Sequence, residues 1–151
     1  MSFNPPVFED VEAAGARLEN VAVRTPLLHS DALDAAVGAR VFVKPECLQI
    51  AGSFKIRGAY NRIVQLTKAE RRAGVVAFSS GNHAQGVADA ANRVGVSAAI
   101  VMPSNAPAVK VRGVQARGAE IVFYDRDTES REEIAQYLAT SRGAVLVPSY
   151  D

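Results

Sequence analysis

Apolar residues along this chain follow two recurring patterns. In the first, they recur every three or four positions, which predicts a helix with one buried face. In the second, four or more mostly apolar residues lie between polar residues, Gly or Pro, which predicts a short strand. The helical pattern covers residues 7–18, 31–37, 56–64, 83–94 and 128–140, and a further helix begins at Pro107. The strand pattern covers residues 40–44, 75–78, 98–102, 120–124 and 144–147, and residues 24–28 are extended around Pro26.

The order of these segments predicts the fold class. Ser53 stands where it could cap the helix over residues 56–64, and Gly38 and Gly95 stand where helices should end. From residue 56 onward, helices alternate with strands, as they do where crossover helices join parallel strands. The sequence therefore predicts an α/β fold, a parallel sheet with helices on both faces.

Composition narrows the class of protein. Of the 151 residues, 48% are apolar and 22% are charged, which is typical of a soluble globular domain. A net charge of +1, with basic and acidic residues intermixed, argues against binding to nucleic acid or to a membrane. Cys47 is the only cysteine, which excludes an internal disulfide. Since no basic stretch precedes an apolar run near Met1, we expect a cytoplasmic location.

The segment after the strand over residues 75–78 could bind an anion. It reads Ser79-Ser80-Gly81-Asn82-His83 and leads directly into a helix. Gly81 permits a tight turn, and the free N–H groups at a helix start favour a carboxylate or another anion. Asn82 adds a side chain that both donates and accepts hydrogen bonds. An ordinary turn between strand and helix would have the same pattern, so the loop alone leaves both interpretations open.

Nucleotide and metal sites are disfavoured. Gly81 and Gly86 have the spacing of the outer glycines of a P-loop, but Val87 follows where that motif needs a lysine. The chain also contains no G-x-G-x-x-G sequence. His29 has no second ligand at a useful spacing, and we predict no metal site. His83 follows a glycine at a helix start, where it could anchor the loop or act as a base.

Lys55 occupies an unusual position for a lysine. It lies within the first turn of a predicted helix, where the positive end of the helix dipole disfavours a charged amine. A neutral amine is the form that attacks a carbonyl group to form an imine. A lysine exposed to solvent on a helix is the alternative, and position alone does not decide between the two.

Two motifs in order identify a family. The first, Ser53-Phe54-Lys55-Ile56-Arg57-Gly58-Ala59, is followed 20 residues after Ala59 by Ser79-Ser80-Gly81-Asn82-His83-Ala84-Gln85-Gly86. Together they resemble the threonine/serine dehydratase and serine racemase family of fold-type II pyridoxal-phosphate enzymes. The similarity extends over residues 24–151 and includes Pro148-Ser149-Tyr150-Asp151 at the end.

The resemblance implies roles for residues of both motifs. It implies that Lys55 carries pyridoxal 5'-phosphate as a Schiff base and later removes the Cα proton of the substrate. It also implies that Phe54 lies beside the cofactor ring and that Asn82 bonds the phenolic oxygen of that ring. The backbone of Ser79–His83 holds the substrate carboxylate. The implied reaction converts L-threonine or L-serine to a 2-oxo acid and ammonia.

Other reactions stay open at this point. Serine racemases also have a serine at the position of Ser80. In those enzymes this serine acts as an acid and base on the face opposite the lysine. Residues 122–126 resemble bacterial relatives that accept 3-hydroxyaspartate. A non-catalytic scaffold or partner-binding module is the alternative from a different functional class.

The family's enzymes are about twice as long as this chain, which implies a truncated form of a longer enzyme. The resemblance assigns residues 1–45 to the large cofactor domain and residues 46–148 to a small α/β domain that carries the loop. Residues 149–151 begin the return to the large domain. We expect homo-oligomers of the full-length form, and weak cofactor binding with little turnover from these 151 residues alone.

Overall fold

A computed structural model describes residues 5–149. Tyr150 and Asp151, which close the motif noted above, lie outside the described residues. The helices are α1 (Phe8–Leu18), α2 (Asp31–Val37), α3 (Lys55–Val64), α4 (Lys68–Ala73), α5 (Asn82–Val94), α6 (Ala108–Gln115) and α7 (Arg131–Arg142). The strands are β1 (Leu28–His29), β2 (Phe42–Val43), β3 (Val75–Phe78), β4 (Ala98–Pro103), β5 (Glu120–Tyr124) and β6 (Val145–Leu146).

Four parallel strands form the main sheet, in the order β5-β4-β3-β6. Alternate residues of β3 face opposite sides, so that Val75 and Ala77 pack with α3 and α5 while Val76 and Phe78 pack with α7. This alternation follows from the two-residue period of a strand, and β3 and β4 are apolar throughout because both of their faces are covered. The predicted α/β fold, with a parallel sheet and helices on both faces, is confirmed.

Several predicted boundaries were wrong by a few residues. Helix α7 begins at Arg131 rather than at Thr128, because Ser130 caps it by accepting a hydrogen bond from the N–H of Glu133. Ser53 does not occupy the N-cap position of α3, which Phe54 takes, although the Ser53 hydroxyl lies 3.4 Å from the N–H of Lys55. The strands predicted over residues 40–44 and 144–147 are only two residues long.

The sequence pattern missed three short helical elements. Helix α4 begins at a capping box, in which Thr67 and Glu70 bond each other's backbone N–H groups. Two 3-10 turns, Glu46–Leu48 and Ile50–Gly52, fill the connection between β2 and α3. All three are too short to show a helical period in the sequence.

The N-terminal residues attach to α3 through a polar network. Strands β1 and β2, with α2 between them in the chain, form a small two-stranded antiparallel sheet apart from the main sheet. Arg57 of α3 donates two hydrogen bonds to Glu46, of 2.7 and 2.8 Å, and the buried hydroxyl of Thr25 donates a third, of 2.6 Å. These contacts fix the first turns of α3 against the segments before and after β2. Among residues 5–149, none of the helices has the length and apolar character needed to cross a bilayer.

Candidate active site

The loop between β3 and α5 lies at the carboxyl end of the parallel sheet, where α/β folds bind their ligands. Within it, the N–H of Ser79 donates to the carbonyl of Val101 and the N–H of Gly81 donates to the Ser79 hydroxyl, each over 3.1 Å. The N–H groups of Asn82 and His83 lie in the first turn of α5 and have no carbonyl one turn earlier. Two of the backbone donors in the predicted anion site over Ser79–His83 are therefore already hydrogen-bonded within the protein.

Lys55 begins α3, and its side chain crosses to the end of the sheet. Its Nζ donates a 2.8 Å hydrogen bond to the carbonyl oxygen of Ser149, 94 positions later in the chain. The same Nζ lies 5.1 Å from the centre of the Phe54 ring. The amine is therefore held by a backbone carbonyl just beyond β6.

His83 is buried and links the loop to the same segment. Its Nε2 donates to the carbonyl oxygen of Val147 over 2.9 Å, which places the ring proton on that nitrogen. Burial lowers the pKa of His83 below its usual value; the positive charge of Lys55 lowers it further, while the bond to Val147 opposes both. The sequence left two roles open for His83, a loop anchor and a base. The hydrogen bond to Val147 is an anchoring contact between the start of α5 and the segment after β6.

A cavity of about 220 Å³ lies between these groups. Its lining includes Phe54, Lys55 and His83, and also Val147, Pro148 and Ser149. The structure thus brings three of the predicted site residues into one cavity. It adds residues 147–149, which sequence reasoning did not select because ordinary apolar and small residues carry no chemical signal.

The remaining predicted site residues are not in the lining of this cavity. Asn82 is exposed, and its side-chain oxygen accepts a 3.4 Å hydrogen bond from Lys110 of α6. Ser80 is half-buried and lines a second, more open cavity of about 450 Å³, together with Tyr124, Arg126 and Arg131. Lys55 and Ser80 therefore line two different cavities.

Two arginines of the second cavity were not among the predicted site residues. Arg126 follows β5 and Arg131 begins α7, so both lie near the carboxyl end of the sheet. The guanidinium of Arg131 stacks over the Phe78 ring at 5.5 Å from its centre. Their position after a strand end is the signal that could have identified them.

Comparisons with known proteins agree with this geometry. A family model described as "Pyridoxal-phosphate dependent enzyme" matches residues 18–151. L-threo-3-hydroxyaspartate ammonia-lyase of a Pseudomonas species is 55% identical over 95% of this chain and 45% of its own length. L-threonine ammonia-lyase of Thermotoga maritima is 43% identical over 95% of this chain and 36% of its own.

A solved structure of a related enzyme also matches this chain. Maize serine racemase superposes with a TM-score of 0.86 at 45% identity, covering 92% of this chain and 42% of that one. The chain thus spans less than half the length of the relatives it matches. It belongs to the fold-type II family of pyridoxal-phosphate-dependent enzymes, whose members include these ammonia-lyases and racemases.

Proposed function

We propose that the whole protein is an ammonia-lyase that converts a 3-hydroxy amino acid to a 2-oxo acid and ammonia. The observation that carries this proposal is the position of Lys55 Nζ, which lies in one cavity with His83 and is held by the carbonyl of Ser149. A positioned amine beside an anion-binding helix start is the arrangement that removal of a Cα proton from an amino acid requires.

The residues around Lys55 fit pyridoxal 5'-phosphate, which has an aldehyde and an aromatic ring. The amine of Lys55 is the partner for the aldehyde, and Phe54 supplies an apolar surface for a ring. Asn82, exposed at the start of α5, is the proposed partner for the phenolic oxygen of the ring. When bound, the cofactor withdraws electrons from the substrate Cα and so makes its proton acidic.

The residues of this chain then have separate roles. The hydrogen bond to the Ser149 carbonyl orients the Lys55 amine, which is the group that would accept the Cα proton. The backbone N–H groups of Asn82 and His83 hold the substrate carboxylate at the positive end of α5. His83 keeps residues 147–149 in place through its bond to Val147.

L-threo-3-hydroxyaspartate is the substrate that we place first. The Pseudomonas relative that acts on it is 55% identical to this chain. The second cavity places Arg126 near the loop as a partner for a second carboxylate, whereas Arg131 pairs with Glu132 of the same lining over 2.8 Å. L-threonine and L-serine, which the sequence placed first, have no second carboxylate and stay as competing substrates.

The test is a substrate comparison with the whole protein and added pyridoxal 5'-phosphate. Ammonia and 2-oxo acid are measured with L-threo-3-hydroxyaspartate, L-threonine and L-serine, and the Lys55→Ala variant serves as the blank. We expect the highest kcat/KM with hydroxyaspartate and no turnover by Lys55→Ala. Turnover retained by Lys55→Ala, or no 2-oxo acid from any of the three, would contradict the proposal.

Racemisation of serine is the second candidate. Similarity to serine racemases favours this candidate, since the maize enzyme is 45% identical to this chain. It requires Ser80 and Lys55, which line different cavities here, to approach opposite faces of one carbon when substrate is bound. D-Serine formed from L-serine, followed by chiral chromatography in the same assay, measures this activity. Its absence would leave only the lyase reaction.

A further inference from the structure

Gly86 packs directly against the backbone of Lys55. It is buried on the face of α5 that contacts α3, in a core shared with Ala84 and Ile56. A Cβ atom built on Gly86 would lie 3.1 Å from the carbonyl carbon of Lys55, 3.2 Å from the nitrogen of Ile56 and 3.2 Å from the Cβ of Lys55. Carbon atoms in favourable contact lie about 3.5–4.0 Å apart, so a methyl group does not fit without movement.

The atoms that would have to move belong to the root of the Lys55 side chain. Two of them are backbone atoms in the first turn of α3, and the third is the atom from which the side chain extends. Gly86 itself lies one helical turn after Asn82 in α5. The space left by the missing side chain at position 86 therefore sets the separation between Lys55 and the start of α5.

We propose that Gly86 is a positioning residue for Lys55. It is not in the lining of the cavity around Lys55; it lets α3 approach α5 closely enough for the amine to reach the cavity that it shares with His83. This inference rests on the proposed function, because it matters only if Lys55 reacts. A misplacement of about 1 Å at a reacting group can cost roughly 100-fold in rate, so a shift of a few tenths of an ångström should cost about tenfold.

The experiment compares Gly86→Ala with Gly15→Ala in the whole protein. Gly15 lies within α1, and a Cβ atom placed on it would meet no neighbouring atom within 4 Å, so the same change there adds a methyl group without a clash. The readouts are the visible absorbance of bound pyridoxal 5'-phosphate, the fraction fixed to Lys55 by borohydride and detected by mass spectrometry, and separate values of kcat and KM.

We expect Gly86→Ala to fold and to lose about tenfold in cofactor attachment and in kcat, with a smaller change in KM. A purely structural role would instead lower the melting temperature while each folded molecule kept normal kcat. Attachment and kcat equal to those of Gly15→Ala would overturn the inference. Failure of the unaltered protein to attach the cofactor would instead overturn the proposed function.

If Gly86→Ala does not fold, a second measurement tests whether Gly86 positions Lys55. In a crystal structure of the unaltered protein with cofactor attached, a Cβ built on Gly86 should still lie within 3.4 Å of the Lys55 backbone. A gap wider than 4 Å would show that the close approach is absent from the working enzyme and would overturn the inference.

Discussion

His83 joins the start of α5 to the end of β6 through one side-chain hydrogen bond. The ring is buried, and its bond to the Val147 carbonyl spans 64 positions of sequence. Because Val147 is also buried, its carbonyl has little access to water if the ring is removed. The His83 side chain thus holds Val147 in the wall of the cavity that Lys55 also lines.

His83→Phe should destabilise the protein by about 1–3 kcal/mol, since it keeps an aromatic ring but leaves the Val147 carbonyl without that donor. Urea denaturation measures the loss. The free energy of unfolding of this variant should also depend less on pH than that of the unaltered protein. Because the folded state lowers the pKa of His83 below 6.5, its contribution to stability is present above pH 6.5 and is lost as the pH falls through the lowered pKa.

The matched control for this prediction is His29→Phe, which changes the chain's other histidine and leaves the bond to Val147 in place. A denaturation curve of His83→Phe that matches the unaltered protein at pH 7 and at pH 5 would contradict the anchoring role.

Ser80→Ala tests whether Ser80, which lines the second cavity, takes part in racemisation or in the lyase reaction. If Ser80 moves a proton on the face opposite Lys55, the variant should lose at least tenfold in racemisation and retain most of its lyase activity. Chiral chromatography of serine and assay of 2-oxo acid measure the two rates separately. Equal losses in both would show that Ser80 serves the loop structure rather than proton transfer.

At the level of elements, helix α3 carries Lys55 and is attached to earlier residues by a bidentate ion pair. Glu46 and Arg57 are mostly buried, with exposed side-chain fractions of 17% and 30%. The Arg57 guanidinium is the main cause that lowers the pKa of Glu46 to about 2. This pair fixes the second residue after Lys55, and hence the first turn of the helix.

Glu46→Gln should lower the free energy of unfolding at pH 7 by about 2 kcal/mol, because Arg57 loses a charged partner. In the unaltered protein, the lowered pKa of Glu46 gives stability that is present above about pH 4.5 and is lost as the pH falls toward 2. The variant should lack this acid-dependent component in chemical denaturation between pH 5 and pH 2.

Glu120→Gln provides the comparison for Glu46→Gln. Glu120 pairs with Arg142 at the surface, where the two side chains are 51% and 41% exposed, and its loss should cost under about 1 kcal/mol. Equal effects of the two substitutions would show that the Glu46–Arg57 pair has no special role in stabilising α3.

The sequence predicted the elements that have a long hydrophobic period and missed those governed by local polar contacts. Helices α3 and α5 and strand β3 were predicted because their apolar faces repeat. The start of α7 was predicted too early because Asp125 and Glu129 bond each other and form a turn before Ser130. Such side-chain bonds to the backbone leave no periodic signal.

The candidate site was predictable only in part. The family resemblance selected Lys55 and the loop, and the structure brings Lys55 and His83 to one cavity. The roles assigned to Lys55, Phe54, Asn82, Ser80 and the backbone of Ser79–His83 all stay predictions. The wall formed by residues 147–149 could not be predicted, because it depends on β6 pairing with β3, 70 positions earlier in register.

At the scale of the whole molecule, cofactor binding should stabilise the fold. A ligand that binds only the folded state adds about 2.7 kcal/mol at 100 times its dissociation constant. We expect pyridoxal 5'-phosphate to raise the melting temperature of the unaltered protein, measured by calorimetry, and to raise that of Lys55→Ala much less. An equal rise in both would show that Lys55 contributes little to holding the cofactor.

The attachment of Lys55 to Ser149 has a consequence for biosynthesis. These partners are 94 positions apart, and His83 and Val147 are 64 apart. During synthesis, Lys55 therefore leaves the ribosome before Ser149, whose carbonyl orients the Lys55 amine, has been added to the chain. Until the residues after β6 emerge, Lys55 has no Ser149 carbonyl to orient it, so the arrangement of Lys55 described above forms only after β6 has been synthesised.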